Sequence, residues 1–170
     1  MNRTIAPDGL VLSAGALRLR PTAADDRGGV IAAGQAPGIG GKMPWFPSPF
    51  PDHYADGWIE RAASEWRAGR HFVLSVIEAE SGAYVGSVVL SVVADDALEL
   101  AYWILPAWEG KGAATAAAIA AVDWARTAIG PARIVAKTRP GAAASQRVLA
   151  KAGFTATGTE GQPTFELKLG

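Results

Sequence analysis

A strand-to-helix junction near the middle of the chain carries the residues best suited to binding an anion. A predicted strand stops at Pro106, a short loop contains Gly110 and Gly112, and an alanine-rich helix follows directly. The first N–H groups of a helix have no intrahelical acceptor, and the helix dipole places partial positive charge behind them. Glycine also lets the backbone approach a phosphate oxygen closely. The junction therefore predicts either a diphosphate site or an ordinary strand-to-helix turn.

The composition restricts the class of protein. The 170 residues can form one domain with a substantial core, and 16 basic side chains balance 16 acidic ones. We therefore expect no nucleic-acid-binding surface and no membrane binding. Cysteine is absent and His53 and His71 are the two histidines, so a thiol nucleophile is excluded and we expect no metal site. The N-terminus lacks a signal-peptide core, which predicts a cytoplasmic protein. A monomer and a homodimer both remain open.

The hydrophobic periodicity predicts a mixed α+β domain over residues 1–170. The predicted elements follow the order β-α-α-β-β-β-α-β-α-β-β, with helices on a largely antiparallel sheet. The centre of this sheet is an antiparallel meander whose strands are expected at residues 72–77, 84–93 and 98–104.

Four helices are predicted beside this sheet. Thr22 or Asp25 can cap the first helix, and Asp52 is expected to cap the second. The fourth, over residues 143–152, places Ser145 on its inward face, where an ordinary first-turn cap is the alternative to a chemical role. The third is rich in alanine, and its buried stripe is expected to consist of Thr115, Ala118, Ile119, Val122, Ala125 and Ile129.

Four segments, in order and at family-like spacing, resemble the GNAT N-acetyltransferase superfamily. The closest resemblance is to its ribosomal-protein-alanine N-acetyltransferase branch, and it covers nearly the whole chain. Residues 17–21 resemble the opening strand of that branch, residues 99–104 its fourth strand and residues 110–115 its coenzyme A pyrophosphate loop. Residues 145–154 resemble its last helix and the strand that follows. The resemblance implies the GNAT fold, with central strands that splay apart.

Two positions depart from the family pattern. Glu109 stands where the pyrophosphate loop usually begins with Arg or Gln, and Ala142 stands where Asn usually precedes the serine by three residues. A carboxylate near a diphosphate is unfavourable unless it points away. Because the loop holds phosphate mainly through backbone N–H groups, we expect coenzyme binding to survive these departures, with lower affinity.

The resemblance implies acetyl transfer from acetyl-CoA to a primary amine, either a protein N-terminal α-amine or a small-molecule amine. With no cysteine in the chain, direct attack in a ternary complex is favoured over an acetyl-enzyme. Related enzymes place a catalytic glutamate on the fourth strand, which makes Glu99 the candidate general base; a salt-bridged surface glutamate is the alternative. Ser145 is the candidate to protonate the departing thiolate or to hold a water near it. Tyr102 is a weaker candidate for the acid, and the favoured interpretation of it is a core aromatic.

The same resemblance implies a co-substrate site along the fourth strand, the loop and the last helix. The residues assigned to it are Trp103, Ile104, Leu105, Glu109, Gly110, Lys111, Gly112, Ala113, Ala114, Thr115, Ala142 and Ser145.

A Gly- and Pro-rich loop over residues 34–51 lies where the family builds its acceptor pocket. Trp45, Phe46 and Phe50 in this loop, with Trp58 from the next helix, could line an apolar slot for the acceptor or could pack the loop onto the domain. A catalytically degenerate GNAT-fold module that binds or senses coenzyme A is the alternative to an enzyme, and Glu109 and Ala142 motivate it.

Overall fold

The computed structural model describes residues 1–41, 43, 46–158 and 161–169. Within them eight strands form one sheet, in the spatial order β1-β2-β3-β4-β5-β6-β8-β7. The strands are β1 (Leu12–Ala14), β2 (Leu17–Pro21), β3 (His71–Glu78), β4 (Tyr84–Ala94), β5 (Ala97–Ile104), β6 (Arg133–Lys137), β7 (Thr155–Gly158) and β8 (Thr164–Lys168). All neighbouring strands are antiparallel except β5 and β6, which are parallel.

Four α-helices lie beside the sheet. They are α1 (Arg27–Gln35), α2 (His53–Arg67), α3 (Ala113–Trp124) and α4 (Ala143–Lys151), and a π-helical turn, Ala125–Ile129, extends α3. Among the described residues, none of the helices combines the length and the apolar character that crossing a membrane requires. The predicted α+β fold, with a mostly antiparallel sheet between helices, is confirmed.

The two faces of the sheet carry separate hydrophobic clusters. On the α3 face, side chains such as Leu98 and Leu100 pack with the alanines of α3 and with Leu149 of α4. On the α2 face, Val89 and Trp103 pack with residues of α1, of α2 and of the loop that joins these two helices. Because side chains alternate along a strand, even-numbered residues of β5 face α3 and odd-numbered ones face α2. This alternation assigns each β5 side chain to one side of the molecule.

A gap opens between β5 and β6, the two parallel strands. Their register begins at Ala97 opposite Arg133 and ends at Leu100 opposite Ala136. Beyond that pair β5 continues to Ile104 along β4, while β6 continues along β8. We call the opening between residues 101–104 and residues 137–138 the β5–β6 gap. It leaves one backbone edge of β5 accessible from the sheet plane.

The capping predictions for the first two helices and one position of the predicted α3 stripe are wrong. The carboxylate of Asp52 accepts a hydrogen bond from Gln35 Nε2 (2.8 Å) instead of capping α2. At the first helix the predicted caps do not cap either, because Thr22 bonds Ser75 and the side chain of Asp26 accepts the N–H of Ala23. In α3, Ala118, Val122, Ala125 and Ile129 of the predicted stripe are buried, but Ile119 is 39% exposed. Ala117 and Ala121 are buried as well, and these small residues let the helix lie close to the sheet.

Candidate active site

The loop before α3 presents a row of backbone N–H groups. Gly110 and Gly112 have φ of 73° and 81°, in the left-handed region that favours glycine, and Gly112 is the N-cap of α3. The N–H of Ala116 donates to Gly112 O (3.0 Å), so the N–H groups of residues 113–115 precede the helical ladder. With the dipole of a twelve-residue helix behind them, these groups suit a diphosphate.

The charged side chains of this loop lie at its surface. Lys111 Nζ lies 5.1 Å from the centroid of the Trp108 ring, a cation–π contact that keeps its charge beside the loop. Glu109 is exposed, and its N–H donates to Pro106 O (3.2 Å) within a 3₁₀ turn. The Glu109 N–H is therefore committed to the turn, and the glycines and the helix start supply the remaining donors.

The open edge of β5 offers further backbone donors. Leu105 N–H donates to Val85 O in β4 (2.8 Å). Since N–H groups alternate in direction along a strand, the N–H groups of Tyr102 and Ile104 are expected to point into the β5–β6 gap. Of the strand residues assigned to the co-substrate, Ile104 thus offers its amide to the gap, whereas the amide of Leu105 serves the sheet.

Two hydroxyl groups meet on the α3 face beside this edge. Tyr102 Oη and Ser145 Oγ share a hydrogen bond of 2.8 Å, and Tyr102 Oη also donates to Ser145 O (3.2 Å). Ser145 is the third residue of α4 and forms no cap bond, so the capping alternative does not apply. Burial raises the pKa of Tyr102, and the hydrogen bond to Ser145 opposes that rise. The phenol stays protonated at neutral pH and can donate a proton.

A third hydroxyl, which the sequence reasoning missed, lies at the end of β6. Thr138 is 4% exposed, and its Oγ1 has no hydrogen-bond partner among the described residues. Its N–H donates to Pro163 O (2.9 Å), which fixes the backbone. Ile134 and Ala136 are buried on the α3 face, and the same alternation assigns Thr138 to that face. This alternation along β6 is the sequence signal that could have identified Thr138 as an inward-facing hydroxyl. A buried, unpaired hydroxyl costs free energy and marks a position where a ligand atom can bond.

Glu99 lies on the opposite, α2 face. Lys137 Nζ donates to Glu99 Oε2 (3.2 Å), and the side chains are 45% and 30% exposed. Both residues border the start of the β5–β6 gap, because Glu99 precedes the last β5–β6 pair by one residue and Lys137 follows it by one. The candidate base and the Tyr102–Ser145 pair therefore lie on opposite faces of the sheet, with the gap between them.

The aromatic residues assigned to the acceptor form a buried cluster. Phe46, Phe50 and Trp58 are 4%, 5% and 7% exposed. The Phe46 ring packs edge-on against Phe50 (5.1 Å between centroids), Trp58 (5.9 Å) and Trp103 (5.2 Å). Trp45 lies outside the described residues. These contacts pack the loop onto the α2 face, and the acceptor slot stays a prediction.

Ala142 stands at the N-cap of α4 and gives that position no side-chain hydrogen bond. Its own N–H donates to Arg139 O (3.1 Å), and its carbonyl accepts the N–H of Gln146 (3.0 Å). The loop into α4 is thus held by backbone bonds, without the amide side chain that the resemblance associates with this position.

The model of the acetyltransferase (GNAT) domain family matches residues 16–155 of the sequence. The chain therefore belongs to the GNAT acetyltransferase family. It has the fold of this family and is an acetyl-CoA-dependent acetyltransferase. Among curated protein sequences, no significant relative is found.

Solved structures of similar fold include several ribosomal-protein acetyltransferases. The ribosomal-protein-S5-alanine acetyltransferase of Vibrio fischeri shares 18% identity at a TM-score of 0.76, over 96% of its own chain and 94% of this one. RimJ of Mycobacterium smegmatis, in complex with CoA-disulfide, shares 25% identity at a TM-score of 0.73, over 88% of its chain and 95% of this one. RimL, a ribosomal L7/L12 α-N-protein acetyltransferase in complex with coenzyme A, shares 14% identity at a TM-score of 0.82, over 98% of its chain and 94% of this one.

Proposed function

We propose that this acetyltransferase modifies the α-amine of a protein N-terminus, by direct attack of the amine on acetyl-CoA in a ternary complex. One observation carries the proposed acetyl transfer to an amine: the β5–β6 gap has a carboxylate, Glu99, on one face of the sheet and a hydroxyl pair, Tyr102 and Ser145, on the other. An amine and a thioester that meet in this gap would have a proton acceptor behind one and proton donors behind the other.

The residues of the α3 face fit acetyl-CoA, which supplies the activated acetyl thioester. The N–H groups at the start of α3 would bind its diphosphate, and the open edge of β5 would bind its pantetheine amides. The unpaired Thr138 hydroxyl would complete a hydrogen bond with the co-substrate near the gap. Tyr102, whose pKa burial raises, would deliver a proton to the departing thiolate, with Ser145 holding the phenol in place.

Glu99 would act on the acceptor. A chain terminus has a pKa of about 8 and is mostly protonated at neutral pH, so a base that removes this proton accelerates attack by roughly 100- to 10,000-fold. Glu99 is 30% exposed on the α2 face, where an acceptor can reach it without entering the co-substrate side. Because the Glu99 side chain reaches solvent, the proton that it takes from the amine can pass to water after each transfer.

The argument for a protein N-terminus comes from the relatives. The RimL structure is described as an α-N-protein acetyltransferase and the Vibrio fischeri enzyme as a ribosomal-protein-alanine acetyltransferase. Full-length similarity at high TM-score supports the same acceptor class here. The α2 face of β6 carries two charged side chains, Arg133 and Lys137, that are 42% and 45% exposed. An extended peptide could lie on such an exposed strip.

The test compares Glu99→Gln with Glu166→Gln. Glu166 lies on the same face, one strand beyond β6, and pairs with Arg133 (3.5 Å). We expect Glu99→Gln to lower kcat for a panel of N-terminal peptides by about 100-fold or more while the KM for acetyl-CoA changes little, as loss of a general base requires. Glu166→Gln should retain kcat within about threefold.

A second arm addresses the acid side and the acceptor class. Tyr102→Phe should lower kcat by about 10- to 100-fold, because Ser145 and solvent remain as poorer donors. Peptides with a free N-terminus should be turned over, and the same peptides blocked at the N-terminus should not. Turnover of small amines alone would overturn the peptide assignment, and equal kcat in wild type and Glu99→Gln would overturn the role of Glu99.

A further inference from the structure

The ion pair at the edge of the gap joins the candidate base to an amine of the same chain. Lys137 Nζ lies 3.2 Å from Glu99 Oε2, and both side chains reach solvent. An acceptor amine must come close to Glu99 and to the β5–β6 gap in order to react. Lys137 already lies close to Glu99, and its position in β6 decides whether its amine can also reach the gap.

The backbone places Lys137 at the gap itself. Ala136 is the last β6 residue that pairs with β5, so Lys137 is the first residue of β6 beyond the point of separation. Its backbone remains fixed by pairing with Thr164 of β8. A lysine on a rigid strand, with a flexible side chain that ends beside the base, can turn its amine into the gap without unfolding anything.

We propose that Lys137 is a self-acetylation site of this enzyme, acetylated by the acetyl-CoA bound to its own chain. The proposal rests on the proposed role of Glu99. The new bond joins Lys137 Nζ to the acetyl carbonyl carbon, and the bond between that carbon and the coenzyme A sulfur breaks. The ammonium loses two protons: one goes to the departing thiolate, and the other passes through Glu99 to solvent. The products are N-acetyl-lysine and coenzyme A.

Acetylation also changes the site. It removes the positive charge of Lys137 and with it the ion pair to Glu99, so the carboxylate becomes accessible to an external amine. The cation that an acceptor would otherwise have to displace is then absent. Self-acetylation therefore frees the Glu99 carboxylate from its ion pair with Lys137. This change affects only the face of the sheet on which the acceptor is proposed to bind.

The experiment incubates the purified protein with acetyl-CoA in the absence of any acceptor and follows each lysine by quantitative peptide mass spectrometry. Lys151 and Lys168, both exposed and both outside the proposed co-substrate site, report spontaneous acetylation in the same sample. We expect Lys137 to be acetylated at least about tenfold faster than these two. The rate should not depend on protein concentration, because the reaction is within one chain.

Variants separate catalysis from reactivity. Glu99→Gln should reduce the rate at Lys137 to that of Lys168, whereas Glu166→Gln, which removes a carboxylate from the same face, should leave it fast. Lys137→Arg retains a cation and should carry no modification at this position. If the wild type acetylates N-terminal peptides but Lys137 reacts no faster than Lys168, self-acetylation is overturned and the proposed function stands. If acetyl-CoA neither shifts the melting temperature nor supports any turnover, the proposed function itself fails.

Discussion

Glu99 and Tyr102 are three residues apart on one strand, and this odd spacing places the proposed base and the proposed acid on opposite faces of the sheet. Side chains alternate along a strand, so Glu99 lies on the α2 face while Tyr102 lies on the α3 face with Ser145. A base and an acid on the same face would compete for one position. Across an open gap they can serve the amine and the thiolate separately.

Thr138 provides a test at the scale of one atom. Its hydroxyl is buried and has no hydrogen-bond partner in the described part of the chain, so Thr138→Val should raise the free energy of unfolding of the free protein by about 1–3 kcal/mol. The same change should weaken acetyl-CoA binding several-fold, because the co-substrate then lacks the hydrogen bond to the Thr138 hydroxyl. Urea denaturation gives the first quantity and titration calorimetry gives the second.

The control for this prediction is Thr138→Ser, which keeps the hydroxyl and should retain acetyl-CoA affinity while losing packing of one methyl group. A Thr138→Val protein that is less stable than the wild type would show that the hydroxyl bonds within the protein, and its assignment to the co-substrate would then be wrong.

The candidate site was partly predictable from the sequence at this scale. Period-two alternation in β5 and the position of Ser145 in a short helix were enough to place the separate pieces. The Tyr102–Ser145 bond was not predictable, because it joins residues 43 positions apart through the packing of α4 against β5. The sequence does not distinguish Lys137 and Thr138 from ordinary strand residues, because their role depends on the register at which β5 and β6 separate.

At the scale of elements, the loop before α3 depends on backbone conformation. Gly112 has φ of 81°, and beyond its chain neighbours no atom of the described residues lies within 4 Å of the position a Cβ would take. The backbone conformation therefore constrains this position, and space does not. Gly112→Ala should lower the free energy of unfolding by about 1–2 kcal/mol, the cost of a left-handed alanine. It should also weaken acetyl-CoA binding, because relief of that strain turns the N–H groups away from the diphosphate.

Gly57→Ala is the matched control. Gly57 lies inside α2, has no positive φ, and also has open space at its Cβ position. Alanine there should raise the free energy of unfolding by about 0.5–1 kcal/mol and leave acetyl-CoA binding unchanged. If Gly112→Ala lowers stability but leaves affinity for acetyl-CoA intact, the loop before α3 is not the diphosphate site.

The positions of the strands and helices followed the sequence closely, whereas the predicted capping side chains at the helix N-termini did not. The meander of β3, β4 and β5 was predicted because alternation and turn residues are local signals. The expected caps failed because tertiary bonds compete for the same side chains: Asp52 accepts from Gln35, and Thr22 bonds Ser75. In α3 the pattern rule selected Ile119, but close packing on the sheet favours alanine at the buried positions.

At the scale of the molecule, the layer between the sheet and α1 encloses a tyrosine. Tyr84 Oη bonds Ser87 Oγ (2.7 Å) and accepts the indole N–H of Trp103 (3.2 Å). Its ring lies against Gly29 of α1, where a Cβ would collide with it. Tyr84 thereby connects the aromatic cluster of the α2 face to α1, and its ionisation is unfavourable because the charged form would be buried.

This burial gives the protein a stability limit at alkaline pH. Burial raises the pKa of Tyr84 above its ordinary value, so the folded state retains a proton that the unfolded chain releases near pH 10. The contribution of Tyr84 to the free energy of unfolding is complete below about pH 10, and it is lost as pH rises toward the folded-state pKa, at up to about 1.4 kcal/mol per pH unit.

Tyr84→Phe should be less stable near pH 8, by about 1–3 kcal/mol, because Ser87 and Trp103 lose a partner. Since the variant has no proton to lose, urea denaturation at increasing pH should bring the two free energies of unfolding together above about pH 10. A difference that stays constant up to about pH 11 would mean that Tyr84 ionises as easily in the folded protein as in the unfolded chain.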